Sequence, residues 1–368
     1  MNVLQVVPEL NAGGVEGTTL EVAQALIAHG HEAHVISAGG RMEDDLLRMG
    51  GRLHKTNIGS KNILTVFGRI RLLRAIIAEY KIDIVHARSR APAWPAYHAA
   101  RIEGVPFLTT YHGIYNGASG LKKYYNSVMA KGVHIIANSE FTKTHIIKTH
   151  GAAPDKITAI PRGVDMAKFD PVNVSEKDIL AQRNRWNIHP DQKIILLPGR
   201  LTRWKGPLVA IEALAELPRH CVLVLLGDAQ GREEFVNELK AKADVIGVTD
   251  RVMMPGHSRD VPTALAAADV VISASTDPEA FGRVAAEAQA MHKPVIATAH
   301  GGALETVIDG ETGFLVTPSD AAALANGIGK ALDWPDYDGP RARRRMSDQF
   351  STESLQAKTL AVYNDLLK

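Results

Sequence analysis

The sequence predicts an α/β protein made of two Rossmann-like domains, each built on a parallel sheet, and three observations carry that expectation. Apolar β-type runs alternate with helical periodicity from end to end; the alternation breaks and restarts near the middle; and 368 residues exceed what one ordinary core holds. In the first half, residues 3–7, 34–37, 82–86, 107–111 and 134–138 read as strands buried on both faces, because the runs are short and apolar rather than alternating. Helical stretches at 18–28, 63–79 and 93–103 separate them. A second set of strands follows at 193–198, 222–226, 252–254, 270–273, 294–297 and 313–316, with helices at 207–217, 233–243, 261–268 and 283–291. Strand–helix–strand alternation implies parallel pairing through right-handed crossovers. Residues 161–174, rich in Pro, Gly and Asp, interrupt both sets and read as the hinge. The expected organisation is an N-terminal domain over 1–168, a C-terminal domain over 169–345, and a last helix within 346–368 packing back toward the N-terminal domain. Ser351 is its expected cap, with Glu353 in its first turn. Open parallel sheets bind ligands beyond the carboxyl ends of their strands, so the two sheets are expected to face a common cleft.

Composition narrows the class. Hydrophobic residues make up 45% and charged residues 22%, as in ordinary globular chains. No apolar run approaches the roughly 20 residues of a membrane span, and residues 1–10 read as a strand rather than a signal peptide. The single cysteine, Cys221, excludes an internal disulfide and a Cys-rich zinc site; within the apolar run 221–226 it reads as an inert core thiol. A cytoplasmic location, or the inner face of a membrane, is the expectation. Residues 1–165 hold 19 Lys+Arg against 13 Asp+Glu and ten of the 15 histidines, whereas the remainder is acidic. A basic front half points to an anionic partner there. Gly13-Gly14-Val15-Glu16-Gly17 does not fit the Gly-x-Gly-x-x-Gly spacing of a dinucleotide fingerprint, and no phosphate-loop Gly-x-x-x-x-Gly-Lys-Ser/Thr occurs.

Two segments carry chemistry. After the strand at 193–198 comes Gly199-Arg200-Leu201-Thr202-Arg203-Trp204-Lys205-Gly206, leading into a helix. Arg200 and Lys205 on one glycine-flanked loop can converge on a diphosphate, Arg as a planar fork and Lys as a mobile point charge. After the strand at 270–273 comes Pro278-Glu279-Ala280-Phe281-Gly282-Arg283-Val284-Ala285-Ala286-Glu287. The spacing puts Glu279 at a helix mouth and Glu287 on the helix itself, with the amides of Phe281, Gly282, Arg283 and Val284 turned toward a bound anion. A carboxylate at the mouth can accept from sugar hydroxyls, and one on the helix can accept two bonds from a ribose. Alone, the first segment reads equally as a basic loop and the second as a capped helix.

Together, in this order, they resemble family 4 of the retaining GT-B glycosyltransferases, the phosphatidylinositol mannosyltransferase and lipopolysaccharide glycosyltransferase type. The likeness extends to Asn11-Ala12-Gly13-Gly14, to residues 26–35, to Ile160-Pro161-Arg162-Gly163-Val164-Asp165 and to Pro255-Gly256-His257. It continues through Ala268-Asp269-Val270, Gly301-Gly302-Ala303-Leu304-Glu305 and Gly310-Glu311-Thr312-Gly313-Phe314. The resemblance implies that Arg200 and Lys205 hold the diphosphate of a nucleotide-sugar and assist its departure. It assigns Glu279 to the transferred sugar and Glu287 to the ribose, with Gly13 and Gly14 closing over the phosphates. His112 is implied to reach the donor sugar near the reaction centre. The implied reaction transfers a hexose, from GDP-mannose or a UDP-hexose, with retention and without a metal or other cofactor. Asp336-Tyr337-Asp338 reads as an incidental surface loop and the basic run 341–345 as solvated. Arg283 and Arg162 depart from the family pattern, which usually has an aliphatic residue and Asn there.

For the acceptor, Arg88-Ser89-Arg90 follows a strand and can clamp a phosphate or carboxylate, with Tyr111 completing the set. The helix at 63–80 carries Phe67, Ile70, Leu73, Ile77 and Tyr80 on one face with Arg69, Arg71 and Arg74 around it. With Lys55, Lys61, Lys122 and Lys123, this suggests docking on an anionic leaflet and a lipid-linked or lipopolysaccharide-type acceptor. A soluble small-molecule acceptor such as a sugar phosphate is the alternative, and a nucleotide-sugar epimerase a more distant one. A role in nucleic-acid binding is not expected.

Overall fold

The computed structural model describes residues 1–11, 13–115 and 119–368. They form two compact units, Met1–Gly163 with Thr352–Lys368, and Val164–Ser351. The chain leaves the first unit after Gly163, not 168, and returns at Thr352, not 346. Backbone contacts place both crossings: Val164 N donates to Phe350 O at 2.7 Å within the second unit. Gly163 lies so close to Thr352 in the first that a Cβ there would meet Thr352 Cα at 2.4 Å.

Unit 1 runs β1 (Asn2–Val6), α1 (Gly14–Ala28), β2 (Glu32–Ser37), α2 (Glu43–Arg48), β3 (Arg52–Lys55), α3 (Val66–Glu79), β4 (Ile84–Ala87), α4 (Arg90–Glu103), β5 (Phe107–Tyr111), α5 (Gly120–Ser127), β6 (His134–Ala137), α6 (Glu140–His150) and β7 (Ile157–Ala159). All described pairings are parallel, in the order β3-β2-β1-β4-β5-β6-β7. The pleat sends alternate residues to opposite faces. Val3, Val35 and Ile84 thus pack with α1, whereas Leu4, Ile36 and Val85 pack with α3 and α4. Helix ends follow local chemistry: Ser139 Oγ accepts from Thr142 N at 3.0 Å to start α6, and Gly151 in the left-handed region ends it.

The expected stripe on the helix at 63–80 is rotated in the structure. Residues 63–65 form a 3-10 turn and α3 begins at Val66, so the buried face is Arg69, Leu73, Ile76 and Ile77 while Phe67 is 82% exposed. Arg69 is not part of a basic surface; it donates to Ile58 O at 2.9 Å and Asn62 O at 3.1 Å, and Arg74 pairs with Glu103.

Unit 2 runs α7 (Glu176–Arg185), β8 (Lys193–Pro198), α8 (Pro207–Ala215), β9 (Cys221–Leu226), α9 (Glu233–Ile246), β10 (Val252–Gly256), α10 (Val261–Ala267), β11 (Val270–Ser273), α11 (Arg283–Ala290), β12 (Val295–Thr298), α12 (Ala303–Thr306), β13 (Gly313–Val316), α13 (Ala321–Leu332) and α14 (Gly339–Phe350). Its parallel sheet is ordered β10-β9-β8-β11-β12-β13, with α8, α9 and α13 on one face and α10, α11 and α14 on the other. Cys221 is buried in β9. The basic run 341–345 is not a solvated loop. Asp338 Oδ1 accepts from Arg341 N to start α14; Arg341 and Arg344 stay exposed beside Glu311 and Asp338, but the other two arginines of the run reach helix ends. Arg343 donates to Ala290 O at the end of α11, and Arg345 to Thr306 O at the end of α12. Terminal carbonyls lacking intrahelical partners explain why the cations turn inward.

The last helix, α15 (Thr352–Leu366), completes unit 1. It buries Leu355, Leu360 and Tyr363 beside α1, and Ser351, with extended backbone, stands between the end of α14 and the start of α15. The Tyr363 hydroxyl lies 2.6 Å from His86 Nδ1, and His86 Nε2 lies 2.6 Å from the Thr110 hydroxyl, all of it buried. Tyr363→Phe leaves a buried imidazole nitrogen unsatisfied and is expected to cost about 1–3 kcal/mol, read as a lower urea midpoint at unchanged slope.

Histidines give unit 1 a pH signature. Burial, then His34 and Arg52, push His54 down to about 4, and burial also lowers His34, His86, His134, His145 and His150. Such groups take up protons near pH 6.5 when unfolded but resist them when folded. Their stabilisation is therefore complete above about pH 6.5 and is lost as pH falls toward 4. In acid, amide exchange is expected to accelerate in unit 1 before unit 2, and His54→Gln to reduce the pH slope.

Candidate functional site

Strand order reverses between β8 and β11 in unit 2, so the loops leaving their carboxyl ends diverge around a crevice, the usual ligand position in such sheets. Those loops are the two segments singled out by sequence. Gly206, with φ +74°, lies where a Cβ would meet Ala274 O at 1.9 Å, so the loops can approach only because that residue has no side chain. Thr276 N donates to Trp204 O at 2.8 Å across the same gap. On the other side, Gly302 N donates to Glu279 O at 2.8 Å, and Gly301, φ +61°, backs directly onto that residue.

These contacts bring Glu279 and Lys205 together. Lys205 Nζ donates to Glu279 Oε1 at 2.7 Å, each side chain 14% exposed. Ser275 donates to the same oxygen at 2.5 Å and Ser273 at 3.4 Å. Burial pushes the Glu279 carboxyl up, but Lys205 and the serine hydroxyls outweigh it and hold the group below its ordinary value. It is ionised at neutral pH and cannot serve as a proton donor. Trp204 lies against the Lys205 ammonium, 4.6 Å from ring centroid to Nζ. Arg200 is exposed on the same loop and makes no side-chain bond among the described residues.

Gly282, φ +85°, turns the chain into α11. The amides of Gly282, Arg283 and Val284 donate to nothing among the described residues, the arrangement that binds anions at a helix start. Phe281 is buried against Phe350 and Val284 packs on the core, so both present their backbone only. One turn into α11, Glu287 is 13% exposed and pairs with Arg283, Nε to Oε1 at 3.2 Å. Burial raises the Glu287 pKa, opposed by Arg283, Lys168 and Lys205. A separate cavity of about 610 Å³ lies against β13 and α13, lined by Asp309, Phe314, Asp320 and Lys330; none of the predicted residues lines it.

Unit 1 reverses strand order between β1 and β4; Gly13 and Gly14 follow β1, Arg88 follows β4, and His112 follows the next strand, β5. Gly13 and Gly14 open α1, and the Arg162 guanidinium lies where a Cβ on Gly14 would be, 1.4 Å from Arg162 Nη1. Arg88, 2% exposed, donates from Nε to Gln5 Oε1 at 2.7 Å, but its Nη2 has no partner. Arg162 Nη2 lies 3.4 Å from His112 Nδ1, which leaves His112 Nε2 to carry the proton, buried and also without a partner. Burial, then Arg162 and Arg88, hold His112 well below its ordinary pKa, so the ring is a neutral hydrogen-bond donor. Arg88, His112, Thr18, Asn138, Arg162 and Thr359 line one narrow slot of about 10 Å³, room for a single oxygen.

The other predicted acceptor residues lie elsewhere. The pleat of β5 puts Thr110 on the slot and Tyr111 on the opposite face, buried, its hydroxyl 3.0 Å from His150 and its ring against Tyr115. Ser89 is the residue before α4. Arg90 donates to Asn126 at 2.9 Å and covers the Tyr115 ring at 4.3 Å. Sequence reasoning missed Ser275, Gln5, Asn138 and Thr359. Each is an ordinary polar residue without motif spacing, and only the assembled strands reveal its partner.

Comparison with known proteins agrees in both halves. Residues 12–168 match the model described as Glycosyltransferase Family 4, and residues 178–349 that described as Glycosyl transferases group 1. The chain is 35% identical over 306 residues to a D-inositol 3-phosphate glycosyltransferase of Xylanimonas cellulosilytica, an alignment covering 78% of this chain and 72% of that one. A protein of the same description from Mycolicibacterium smegmatis is 33% identical over 239 residues, 64% of this chain and 54% of that one. Among solved structures, a glycosyltransferase from Rickettsia africae superposes with a TM-score of 0.92 at 38% identity, covering 100% of this chain and 98% of that one. HepE of Anabaena, in complex with UDP, does so at 0.87 and 25% identity, covering 99% and 100%. Two Rossmann-like units with these paired loops, and relatives of this identity across both, have one meaning: the chain belongs to the family 4, group 1 glycosyltransferases of the GT-B fold.

Proposed function

We propose that this glycosyltransferase moves a hexose from a UDP-hexose to a small phosphorylated polyol, with retention at the anomeric carbon. The carrying observation is the cluster in unit 2: the buried Lys205–Glu279 pair, the unpaired Arg200 and the free amides opening α11. Arg200, Lys205 and the amides of Gly282, Arg283 and Val284 receive the diphosphate and stabilise the charge it gains on leaving. Glu279, held ionised, accepts from sugar hydroxyls; Glu287 accepts from the ribose. The family resemblance supports retention, in which leaving group and acceptor share one sugar face. Uridine is favoured over guanosine because HepE is solved with UDP and with UDP-glucose.

For the acceptor, a phosphorylated small molecule is better supported than a lipid-linked one. Relatives at 35% and 33% identity are named for D-inositol 3-phosphate. The Arg88 guanidinium is buried with an unmet donor, which favours a ligand anion over apolar surroundings. His112 Nε2 donates to the same oxygen. The α3 arginines expected to face a leaflet are partly engaged, Arg69 with carbonyls and Arg74 with Glu103. No helix among the described residues is long and apolar enough to cross a membrane.

Thermal shift tests the donor. UDP and UDP-glucose are expected to stabilise the protein, by about 2.7 kcal/mol at a hundredfold excess over Kd, and GDP and ADP much less. Indifference to all three nucleotides would sink the donor assignment. Arg200→Ala and Lys205→Ala should each cost about 2–4 kcal/mol of transition-state stabilisation in kcat; near-normal turnover in both refutes their role. Arg88→Gln should lower kcat/KM for inositol 3-phosphate by about 10–100-fold and leave unphosphorylated inositol unaffected. Transfer to a lipid-linked acceptor alone would instead favour the membrane reading.

A further inference from the structure

Arg283 is a cation in a place where neither helix energetics nor its ion pair accounts for it. It is the first residue of α11, where the helix dipole disfavours positive charge. Its partner Glu287 lies four residues on, with the cation on the amino-terminal side, the weaker orientation for such pairs. Arg283 is 52% exposed, so the pair is screened on the arginine side, whereas Glu287 at 13% is largely enclosed. Among the described residues its one ion pair is with Glu287. Its position is nonetheless specific: it rises from the same turn as the unbonded amides of Gly282, Arg283 and Val284, and its neighbour is the carboxylate read as the ribose acceptor.

Resting on the donor reading above, we propose that Arg283 is a third phosphate-binding cation whose engagement is coupled to nucleotide recognition. Ribose hydroxyls that bond to Glu287 compete directly with the Arg283 Nε for Oε1. The guanidinium so released stands on the first turn of α11, between the ribose side and the amides that take the diphosphate, and it closes on the phosphate nearer the ribose. A nucleoside without phosphate displaces Arg283 and returns nothing for it; a nucleoside diphosphate replaces one anionic partner by another of greater charge. Discrimination between nucleotide and nucleoside is thereby built into one residue. The transferred sugar is not its target, because Glu279, with Ser275 on the same oxygen, forms that end of the cluster.

Isothermal titration of wild type, Arg283→Leu and Arg283→Lys with uridine, UMP and UDP tests this. Arg283 is half exposed, so the substitutions leave the fold intact. In Arg283→Leu the Kd for UMP and UDP should rise about 10-fold or more. The Kd for uridine should stay the same or fall, since Glu287 is freed, and the salt dependence of UDP binding should flatten. Arg283→Lys should restore part of the ratio. Wild type that binds UDP, with an unchanged UDP-to-uridine ratio in Arg283→Leu or tighter UDP binding, overturns the inference and leaves the donor reading standing. Wild type that binds no uridine nucleotide overturns both.

Discussion

A buried carboxylate must be given a cation, and in unit 2 that requirement organises the ligand crevice. Glu279 is enclosed on the loop after β11 and finds Lys205 on the loop after β8, with Ser275 and Ser273 on the same oxygen. Breaking such a pair by removing one partner typically costs 3–5 kcal/mol, so the two loops are held in one relation. The glycines around them are consequences: Gly206 and Gly301 lie where backbones must pass closer than a Cβ allows. Because Lys205 is already balanced by Glu279 and Arg283 by Glu287, the excess positive charge at the crevice comes from Arg200 and the amides of α11. That division suits a ligand with charge at one end and hydroxyls at the other.

Other enclosed arginines turn to backbone carbonyls. Arg69 binds the Ile58 and Asn62 carbonyls, Arg251 those of Leu214, Leu217 and Pro218, and Arg345 those of Glu305 and Thr306. Arg88, 2% exposed, instead lines a slot together with His112, and neither Arg88 Nη2 nor His112 Nε2 has a partner among the described residues. A polar group left in that condition is costly unless something else completes it. Two unmet donors lining one slot are what support the ligand reading of Arg88. The same slot is walled by Thr359 of α15, so the last helix both covers the sheet and shapes the pocket.

Much of the fold was legible because parallel strands buried on both faces are apolar runs, and apolar runs are visible in a chain. Strands at 107–111, 193–198, 270–273 and 313–316 coincide with those observed. The edge strands β3 and β7 were not read: Arg52–Lys55 carries two cations and a histidine, and Ile157–Ala159 is three residues long. An edge strand needs no continuous apolar signal, since one side meets solvent. The run 341–345 was misjudged for the converse reason. Arg341 and Arg344 are solvated as composition suggests, but Arg343 and Arg345 bind helix-end carbonyls that are distant in the chain.

By itself the sequence determined the class of fold, the two loops, and the residue types a nucleotide-sugar requires, since glycines, cations and carboxylates at those spacings are local facts. Tertiary structure decided how they are used. The pleat of β5 turned Tyr111 into the core and Thr110 toward the slot. The reversal of strand order brought Lys205 to Glu279, residues far apart in the chain. Crowding left Arg88 with a donor unmet and set Arg283 against Glu287. Pairing of charges and burial of donors depend on which segments meet, and that is a property of the folded chain alone.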